Sequence, residues 1–291
     1  MRQHTEYIPV SLLSVLNLLY PLCLACGVKD KLRIIAIAIP QFVTKTVGKE
    51  VSIARIAKML WRNTVVKIGG VKYALLDYES FLIVSPKYYE TKFVPKWLRP
   101  KRGEVVIDIG AHIGRYTMSI AKAVGDEGMV VAIEPHPENY KALQRNIELN
   151  RLKNAIALNL AAWEKDCELR LFIGDCTGHH SARINRGLGL FKSKARAMDN
   201  VLKELSLDRI DWIKIDVEGA ECEVLYGLGE TLSKQNPKIV IEISCENTHE
   251  TKRFMKDHEY ELIRISPTFK ENAYFFGLRC PKNLVIREWK H

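Results

Sequence analysis

The 291-residue sequence predicts an α/β fold: a mostly parallel seven-stranded sheet with an antiparallel C-terminal strand pair, preceded by a helical and β-hairpin N-terminal extension. Two observations support this prediction. From residue 100 onward, short apolar runs alternate with helical stretches, which is typical of βαβ units around a buried parallel sheet. The last two runs have no helix between them, so we expect them to pair antiparallel. The predicted domains are residues 1–99, the basic extension, and residues 100–291.

The apolar runs define the predicted strands. The five parallel strands are expected at Glu104–Ile109, Met129–Ile133, Ala155–Leu160, Trp212–Val217 and Lys238–Ile243. A hairpin is expected to begin near Cys167–Ile173, and the terminal pair is Tyr260–Ile265 with Tyr274–Cys280. In the extension, residues 51–61 have the apolar spacing of an amphipathic helix, and two apolar runs around Gly69 and Gly70 indicate a β-hairpin over residues 64–76.

Positive charge is concentrated in the N-terminal third of the chain. Residues 1–100 contain 15 Lys and Arg against 6 Asp and Glu (+9), whereas the remainder contains 29 against 28 (+1). This asymmetry suggests contact with a nucleic acid, an anionic membrane surface or an acidic substrate, although a solvated lysine-rich face gives the same pattern. The seven scattered cysteines do not resemble a disulfide framework, which fits a reducing cytoplasm.

The segment from Ile8 to Val28 has no charged residue over about one bilayer thickness of helix. Two prolines interrupt it, and basic residues follow it. We predict that it forms a buried helical hairpin with Arg33–Val43 in a cytoplasmic protein. The alternative is a membrane anchor or an interfacial helix, which would place peripheral membrane contact within residues 8–43.

A glycine-containing bend follows the first predicted strand, in the segment Asp108-Ile109-Gly110-Ala111-His112-Ile113-Gly114. Gly110 permits a backbone conformation or a close approach that a Cβ atom would block. The helix beginning near Arg115 offers free N–H groups to an anionic ligand group. Asp108, at the strand end, can accept a hydrogen bond from a cationic amine. The glycine spacing differs from the GxGxxG fingerprint of dinucleotide-binding enzymes.

Acidic residues end two further strands. Glu134 ends the second strand, where a carboxylate is placed to receive both hydroxyls of a ribose. Asp216 and Glu218 follow the very apolar fourth strand, and Glu221 lies in the first turn of the next helix. We expect Asp216 and Glu218 to face the crevice beyond the strand ends, because burial without partners would be costly. Glu221 could instead stabilise its helix dipole.

Together these segments resemble the FkbM methyltransferase family. The resemblance is carried by Asp108–Thr117 (DIGAHIGRYT), Glu134–Asn139 (EPHPEN), Leu143–Asn150, Met198–Leu202, Lys214–Glu221 (KIDVEGAE) with Val224, Leu225 and Gly227, and Pro237 with Ile239–Ile243 (IVIEI). It covers roughly residues 100–245. One departure is Met198, where the family usually has leucine.

The resemblance implies a Rossmann-like class I methyltransferase fold and transfer of a methyl group from S-adenosylmethionine, typically to an oxygen of a sugar, polyketide or related metabolite. It implies a site in which Glu134 holds the ribose, the adenine lies near Pro135 and Ala161–Trp163, and Asp216 and Glu218 border the methyl group. The full predicted cofactor-binding set is Asp108, Gly110, Ala111, His112, Gly114, Tyr116, Thr117, Glu134, Pro135, Asn139, Ala162 and Asp216.

A hydroxyl acceptor must lose a proton during or before attack, so a general base is expected. The candidates are Asp216, Glu218 and a histidine from the pair His179 and His180, with His180 taken as the catalytic residue. No metal is predicted. A metal-assisted variant would combine Asp216 with Glu242, or with Glu246 and Asn247, around Mg²⁺.

Three other functions compete with this interpretation. The basic extension fits an RNA methyltransferase, although the fourth strand lacks the Asp/Asn-Pro-Pro-aromatic segment often found in enzymes that methylate base amines. A non-catalytic binding protein could retain the fold, but the intact acidic and glycine positions count against it. An NAD-dependent oxidoreductase is disfavoured by the glycine spacing. The favoured partner is a small-molecule or glycan acceptor, and the sequence predicts neither its identity nor an oligomeric state.

Overall fold

The computed structural model describes residues 20–36, 60–62, 64–87, 92–174, 180–183, 188–266 and 272–279. The chain divides into two compact units, Met1–Val84 and Ser85–His291. The boundary lies before the predicted one at residues 99 and 100. The reason is that Phe93 and Val94 belong to a buried cluster with Tyr274 and Phe276 of the large sheet, so the segment ahead of residue 100 is part of the second core.

The first unit contains the predicted β-hairpin. Strands β1 (Val65–Ile68) and β2 (Val71–Ala74) pair antiparallel, with Ile68 opposite Val71. Gly69 and Gly70 connect them with φ values of 56° and 79°, which a two-residue hairpin turn of this kind requires and glycine supplies without strain. Helix α1 (Tyr78–Val84) follows. Residues 20–24 and 28–36 are also helical.

Parts of the predicted extension lie outside the described residues, namely residues 8–19, 37–43 and 51–59. Within the described residues, no helix combines the length and the apolar character needed to cross a membrane.

The second unit contains the seven-stranded sheet that the sequence predicts. Its strands lie in the order β11-β12-β10-β9-β3-β4-β5. They are β3 (Val105–Ile109), β4 (Met129–Ile133), β5 (Ala155–Leu158), β9 (Trp212–Ile215), β10 (Lys238–Ser244), β11 (Tyr260–Arg264) and β12 (Asn272–Arg279). The first five are mutually parallel, and β12 pairs antiparallel with both β10 and β11. The predicted fold class is confirmed.

A separate three-stranded sheet follows β5. It has the order β6-β8-β7 and consists of β6 (Ala161–Trp163), β7 (Cys167–Phe172) and β8 (Leu190–Ala197). The predicted hairpin is therefore the antiparallel pair of β7 and β8. The third predicted strand was expected to continue to residue 160, but β5 ends at Leu158 and the chain enters the smaller sheet three residues later.

Helices cover both faces of the large sheet. They are α2 (Val94–Trp97), α3 (Arg115–Val124), α4 (Pro137–Leu149), α5 (Met198–Glu204), α6 (Glu221–Tyr226), α7 (Gly229–Gln235) and α8 (Thr248–Asp257). Apolar residues of α2 and α3 form one buried cluster with the sheet, and those of α5 to α8 form the other. Because neighbouring strand residues point to opposite faces, both faces of the central strands are apolar, as expected of a covered parallel sheet.

Candidate functional site

The acidic and glycine positions singled out in the sequence meet at one edge of the large sheet. Gly110, Glu134 and Asp216 each follow directly after their strands, β3, β4 and β9. These strands are parallel and adjacent, so their carboxyl ends share an edge. In open α/β sheets this edge forms the crevice where ligands bind.

The bend after β3 is held tightly against β4. The N–H groups of Gly110 and Ala111 both donate to the Ile133 carbonyl oxygen at 3.0 Å. Gly110 and His112 have φ values of 78° and 52°, and Gly114, at the N-terminus of α3, has a φ of 92°. Three residues of the bend thus adopt left-handed backbone conformations, which favour glycine. A Cβ atom on Gly110 would overlap the Asp216 carbonyl oxygen.

This close approach predicts an unusually costly substitution. Gly110→Ala should destabilise the fold by more than the roughly 1 kcal/mol expected of a left-handed alanine, because the backbone of Asp216 must also shift. Gly103→Ala is the matched control, since Gly103 has nearly the same φ (79°) and its Cβ would meet nothing within 4 Å. Urea unfolding of both variants measures the difference. Equal losses would mean that the contact with Asp216 does not constrain the bend.

Glu134 is turned toward the bend. The residue is 5% exposed, and one of its carboxylate oxygens accepts the His112 N–H at 2.8 Å. The other oxygen accepts the His136 N–H at 2.8 Å and, at 3.4 Å, the Asn139 amide. Burial raises the pKa of Glu134 to about 7, against the opposing effect of these hydrogen bonds. A small change in its surroundings therefore changes its charge near neutral pH.

A buried ion pair lies beside the bend. Strand alternation places Asp108 and Lys214 on the same face of the sheet, and the register sets them side by side on β3 and β9. The Lys214 Nζ lies 3.8 Å from Asp108 Oδ1 and 3.1 Å from Asp216 Oδ2, and it donates to the Gly110 carbonyl at 3.4 Å. Asp108, fully buried, also accepts the Thr117 hydroxyl at 2.6 Å. Asp108 therefore has a cationic amine of the chain itself, Lys214, beside it.

The pKa values of Asp108 and Asp216, the two carboxyl groups beside Lys214, are shifted in opposite directions. Burial raises the pKa of Asp108, with Lys214 and Thr117 opposing the rise. Burial also acts to raise the pKa of Asp216, but Lys214 and hydrogen bonds from neighbouring groups outweigh it, so the pKa lies below its usual range. Asp216 is therefore ionised at neutral pH.

Three carboxylates cluster beyond the strand ends. One oxygen each of Asp216, Glu218 and Glu242 lies within 4.8 Å of the others. The Tyr274 hydroxyl, from the antiparallel strand β12, donates to Asp216 Oδ2 at 3.0 Å. Oxygen ligands this close could hold a cation, and hydrogen bonding among them could serve equally well.

The turn after Asp216 is fixed by internal hydrogen bonds. Glu221 is 1% exposed, accepts the Gly219 N–H at 2.8 Å and also accepts from the Asn247 amide. Glu218 has a φ of 52°, and its carbonyl accepts the Ser181 hydroxyl at 2.6 Å. Glu221 and Asn247 therefore shape the turn that presents Glu218.

Histidines gather on the other side of Glu134. The His180 ring stacks on His136 with the ring centres 3.9 Å apart, and Phe191 meets both rings edge-on. His180 Nδ1 accepts the Gly174 N–H at 3.0 Å. Burial and nearby His180 lower the pKa of His112 to about 3, so its ring is neutral. Neither His112 ring nitrogen has a hydrogen-bond partner among the described residues.

The residues of the predicted site that are not yet described are Tyr116, Pro135, Ala162 and His179. Tyr116 is buried with its ring 5.0 Å from Lys214 Nζ, and Pro135 accepts the Asn159 amide at 3.0 Å through its carbonyl. Ala162 is 6% exposed and belongs to the main core, so its contact with an adenine stays a prediction. His179 lies outside the described residues.

Sequence reasoning overlooked three residues that the structure brings to the site. Lys214 could have been identified from the sequence, because it is the one charged residue inside the apolar run Trp212–Ile215. Nothing in the sequence indicated Tyr274, because its strand, β12, lies near the far end of the chain. His136 was inside a quoted motif, but nothing in the sequence paired it with His180.

The residues of this site fall within a region shared with a known protein family. The family model described as the methyltransferase FkbM domain matches residues 108–262, just over half of the chain. The chain belongs to the FkbM methyltransferase family. The predicted resemblance is confirmed, and the domain is one whose cofactor is S-adenosylmethionine. The matched range contains the glycine bend and all the acidic residues of the site.

Individual relatives of this FkbM-family chain are distant. It is 24% identical over 163 residues to Methyltransferase 1 of Beauveria bassiana (strain ARSEF 2860) and 27% identical over 169 residues to Methyltransferase sdnD of Sordaria araneosa. These matches cover 49% and 47% of this chain, and only 65% of each relative's own length. The crystal structure of Methyltransferase FkbM from Methylobacillus flagellatus KT is similar with a TM-score of 0.47 at 16% identity, over 89% of this chain and 57% of that one.

Proposed function

We propose that this FkbM-family chain transfers a methyl group from S-adenosylmethionine to a hydroxyl oxygen of a sugar, glycan, lipid-linked or other small-molecule acceptor. One observation carries the proposal. Glu134 binds the N–H of the glycine bend, and Asp216 follows the adjacent strand at the same edge. The two carboxylates thus flank the bend. Glu134 is placed to bind the ribose, and Asp216 is placed to border the methyl group.

The residues of the bend suit the cofactor. The short bonds from His112 and His136 use one acceptor position on each oxygen of Glu134, so each oxygen keeps a position for a ribose hydroxyl, with the long Asn139 bond competing at one of them. The buried ring nitrogens of His112, with no partner in the described chain, could be satisfied by a polar group of the ligand. Both features support a polar nucleoside beside Glu134.

When bound, S-adenosylmethionine supplies an electrophilic methyl group on a positively charged sulfur. The chain contributes charge and position. Ionised Asp216 places a negative charge at this edge of the sheet, where it suits a cationic group. Lys214 and Tyr274 hold the Asp216 carboxylate in one orientation, which limits the reorganisation needed during reaction.

The carboxylates are better candidates for the general base than His180. Because His180 Nδ1 accepts the Gly174 N–H, the neutral ring carries its proton on Nε2 and has no lone pair left for a substrate proton. Asp216 is ionised and can accept a proton from a hydroxyl held against it. We therefore propose Asp216, or Glu218 beside it, as the base, and a binding role for the stacked histidines.

The function is tested by binding and by methyl transfer. Calorimetric titration should detect S-adenosylmethionine and S-adenosylhomocysteine, and a labelled-methyl screen should label saccharide or lipid fractions. Asp216→Asn should lower the rate of transfer by about 100-fold or more. Asp126→Asn, an exposed aspartate outside the site, is the control and should retain full activity.

The outcomes separate the competing functions. Failure to bind either nucleoside would remove the proposal. Labelling of RNA alone, with steep salt dependence, would favour the RNA methyltransferase. Binding without transfer to any fraction would favour a non-catalytic protein, and loss of transfer with a chelator would assign a cation to the carboxylate cluster.

A further inference from the structure

We propose that the helix of residues 28–36 docks the protein onto an anionic lipid surface, lying in the plane of the headgroups. This inference concerns the N-terminal unit and is independent of the proposed methyl transfer. It rests on an exposed apolar stripe, on the lysines beside it, and on the way the opposite face of the helix is held.

The stripe consists of Val28, Leu32 and Ile35. These three residues are 75%, 60% and 38% exposed, so three of the four large apolar side chains of the helix face the solvent. At 3.6 residues per turn, positions 28, 32 and 35 fall within about 60° of one another around the helix axis. They therefore form one continuous apolar stripe. Exposed residues without a common role would instead be scattered around the helix axis.

The opposite face is anchored within the same unit. Ile34 is 1% exposed, and Asp30 accepts the Val65 N–H of strand β1 at 3.1 Å. Just before the helix, the Cys26 N–H donates to the Val65 carbonyl at 3.0 Å. The helix cannot turn its stripe inward without breaking these contacts, so the exposure of the stripe belongs to the fold of this unit.

Positive charge borders the stripe on both sides. Lys29 and Lys31 are exposed, and the helical period places Lys31 next to Ile35 and Lys29 beyond Leu32. This unit lies within the part of the chain that carries a net charge of +9 over residues 1–100.

An apolar stripe flanked by lysines is complementary to an anionic lipid surface. The apolar side chains enter the boundary between headgroups and acyl chains, while lysine stems reach back so that their ammonium groups meet the phosphates. A protein partner would need an acidic rim around an apolar groove, and RNA would gain nothing from the apolar stripe. The lipid surface accounts for both features together.

The test is co-sedimentation of the full chain with large vesicles of phosphatidylcholine, with and without phosphatidylserine. We expect binding to the anionic vesicles that weakens at high salt. The double variants Leu32→Ser with Ile35→Ser, and Lys29→Gln with Lys31→Gln, should each lower the partition constant by about tenfold or more. All four substitutions are at exposed positions, and thermal unfolding checks that the variants remain folded.

The controls lie in the other unit. Leu278→Ser and Lys122→Gln remove an exposed apolar and an exposed basic side chain there, and both should bind vesicles as the parent does. The proposal would be overturned by equal binding to neutral vesicles, by double variants that bind like the controls, or by no vesicle binding at all. A change in elution volume confined to the stripe variants would also overturn it, and would assign the stripe to contact between copies of the chain.

Discussion

Lys214→Met should lower the free energy of unfolding by about 3–5 kcal/mol, because it leaves two carboxylates in the site without their cation. Lys214 is 2% exposed and lies between Asp108 and Asp216, and the Asp108 carboxyl is fully buried. Methionine fills a similar volume, so the loss reports the charge. Urea unfolding at several pH values measures it.

The loss should depend on pH in a defined direction. Without the cation, burial keeps the pKa of Asp108 above its unfolded value, so the native state binds a proton that the unfolded state releases. The variant should therefore lose stability as the pH rises above the pKa of the unfolded carboxyl group. Asp108→Asn with Lys214→Met should recover part of the loss, since the amide needs no counter-ion.

The matched control is Lys203→Met. Lys203 is 61% exposed and pairs with Glu230 at the surface, where the loss of an ion pair costs about 1 kcal/mol or less. Equal stability of the two lysine variants would mean that the ion pairs of Lys214 stabilise the fold no more than a surface ion pair does. The role of Lys214 in orienting Asp216 would then have no support.

Glu134→Gln should weaken binding of S-adenosylmethionine by about 100-fold or more and remove the pH dependence of that binding. The amide has a single acceptor oxygen and turns an N–H₂ toward one of the N–H groups of His112 and His136, which costs about 1–3 kcal/mol for the donor left unpaired. It also removes the negative acceptor for the ribose hydroxyls.

The pH dependence in the parent follows from the raised pKa of Glu134, about 7. Hydroxyl donors favour the ionised carboxylate, so cofactor affinity should rise as the pH increases from about 6 to about 8. Stability runs the other way. The unfolded carboxyl ionises near its usual pKa of 4.5, so stability falls as the pH rises from there to about 7, by up to about 3 kcal/mol.

Calorimetric titration across this pH range distinguishes the roles. Glu168→Gln is the control, since Glu168 is 63% exposed and lies on β7 in the smaller sheet. It should keep the affinity and the pH profile of the parent. An affinity in the parent that is flat across pH 7 would show that Glu134 does not receive the ribose.

The pattern of residues along the chain is enough to predict the sheet, the bend and the acidic positions. Apolar runs with a helix after most of them predict parallel strands, and parallel strands bring their carboxyl ends to one edge. For this reason Gly110, Glu134 and Asp216, which lie 106 residues apart at the extremes, are assigned to one site by their positions along the chain alone. Each of them is marked locally, by its place immediately after an apolar run.

The contacts that those residues make are visible only in the folded domain. Lys214 meets Asp108 because β9 lies beside β3, and Tyr274 meets Asp216 because β12 inserts between β10 and β11. The stack of His180 on His136 likewise depends on where the connection between β7 and β8 places His180. Periodicity along a strand encodes the face on which a side chain lies, but the neighbour it meets there is set by strand order, which depends on packing across the whole domain.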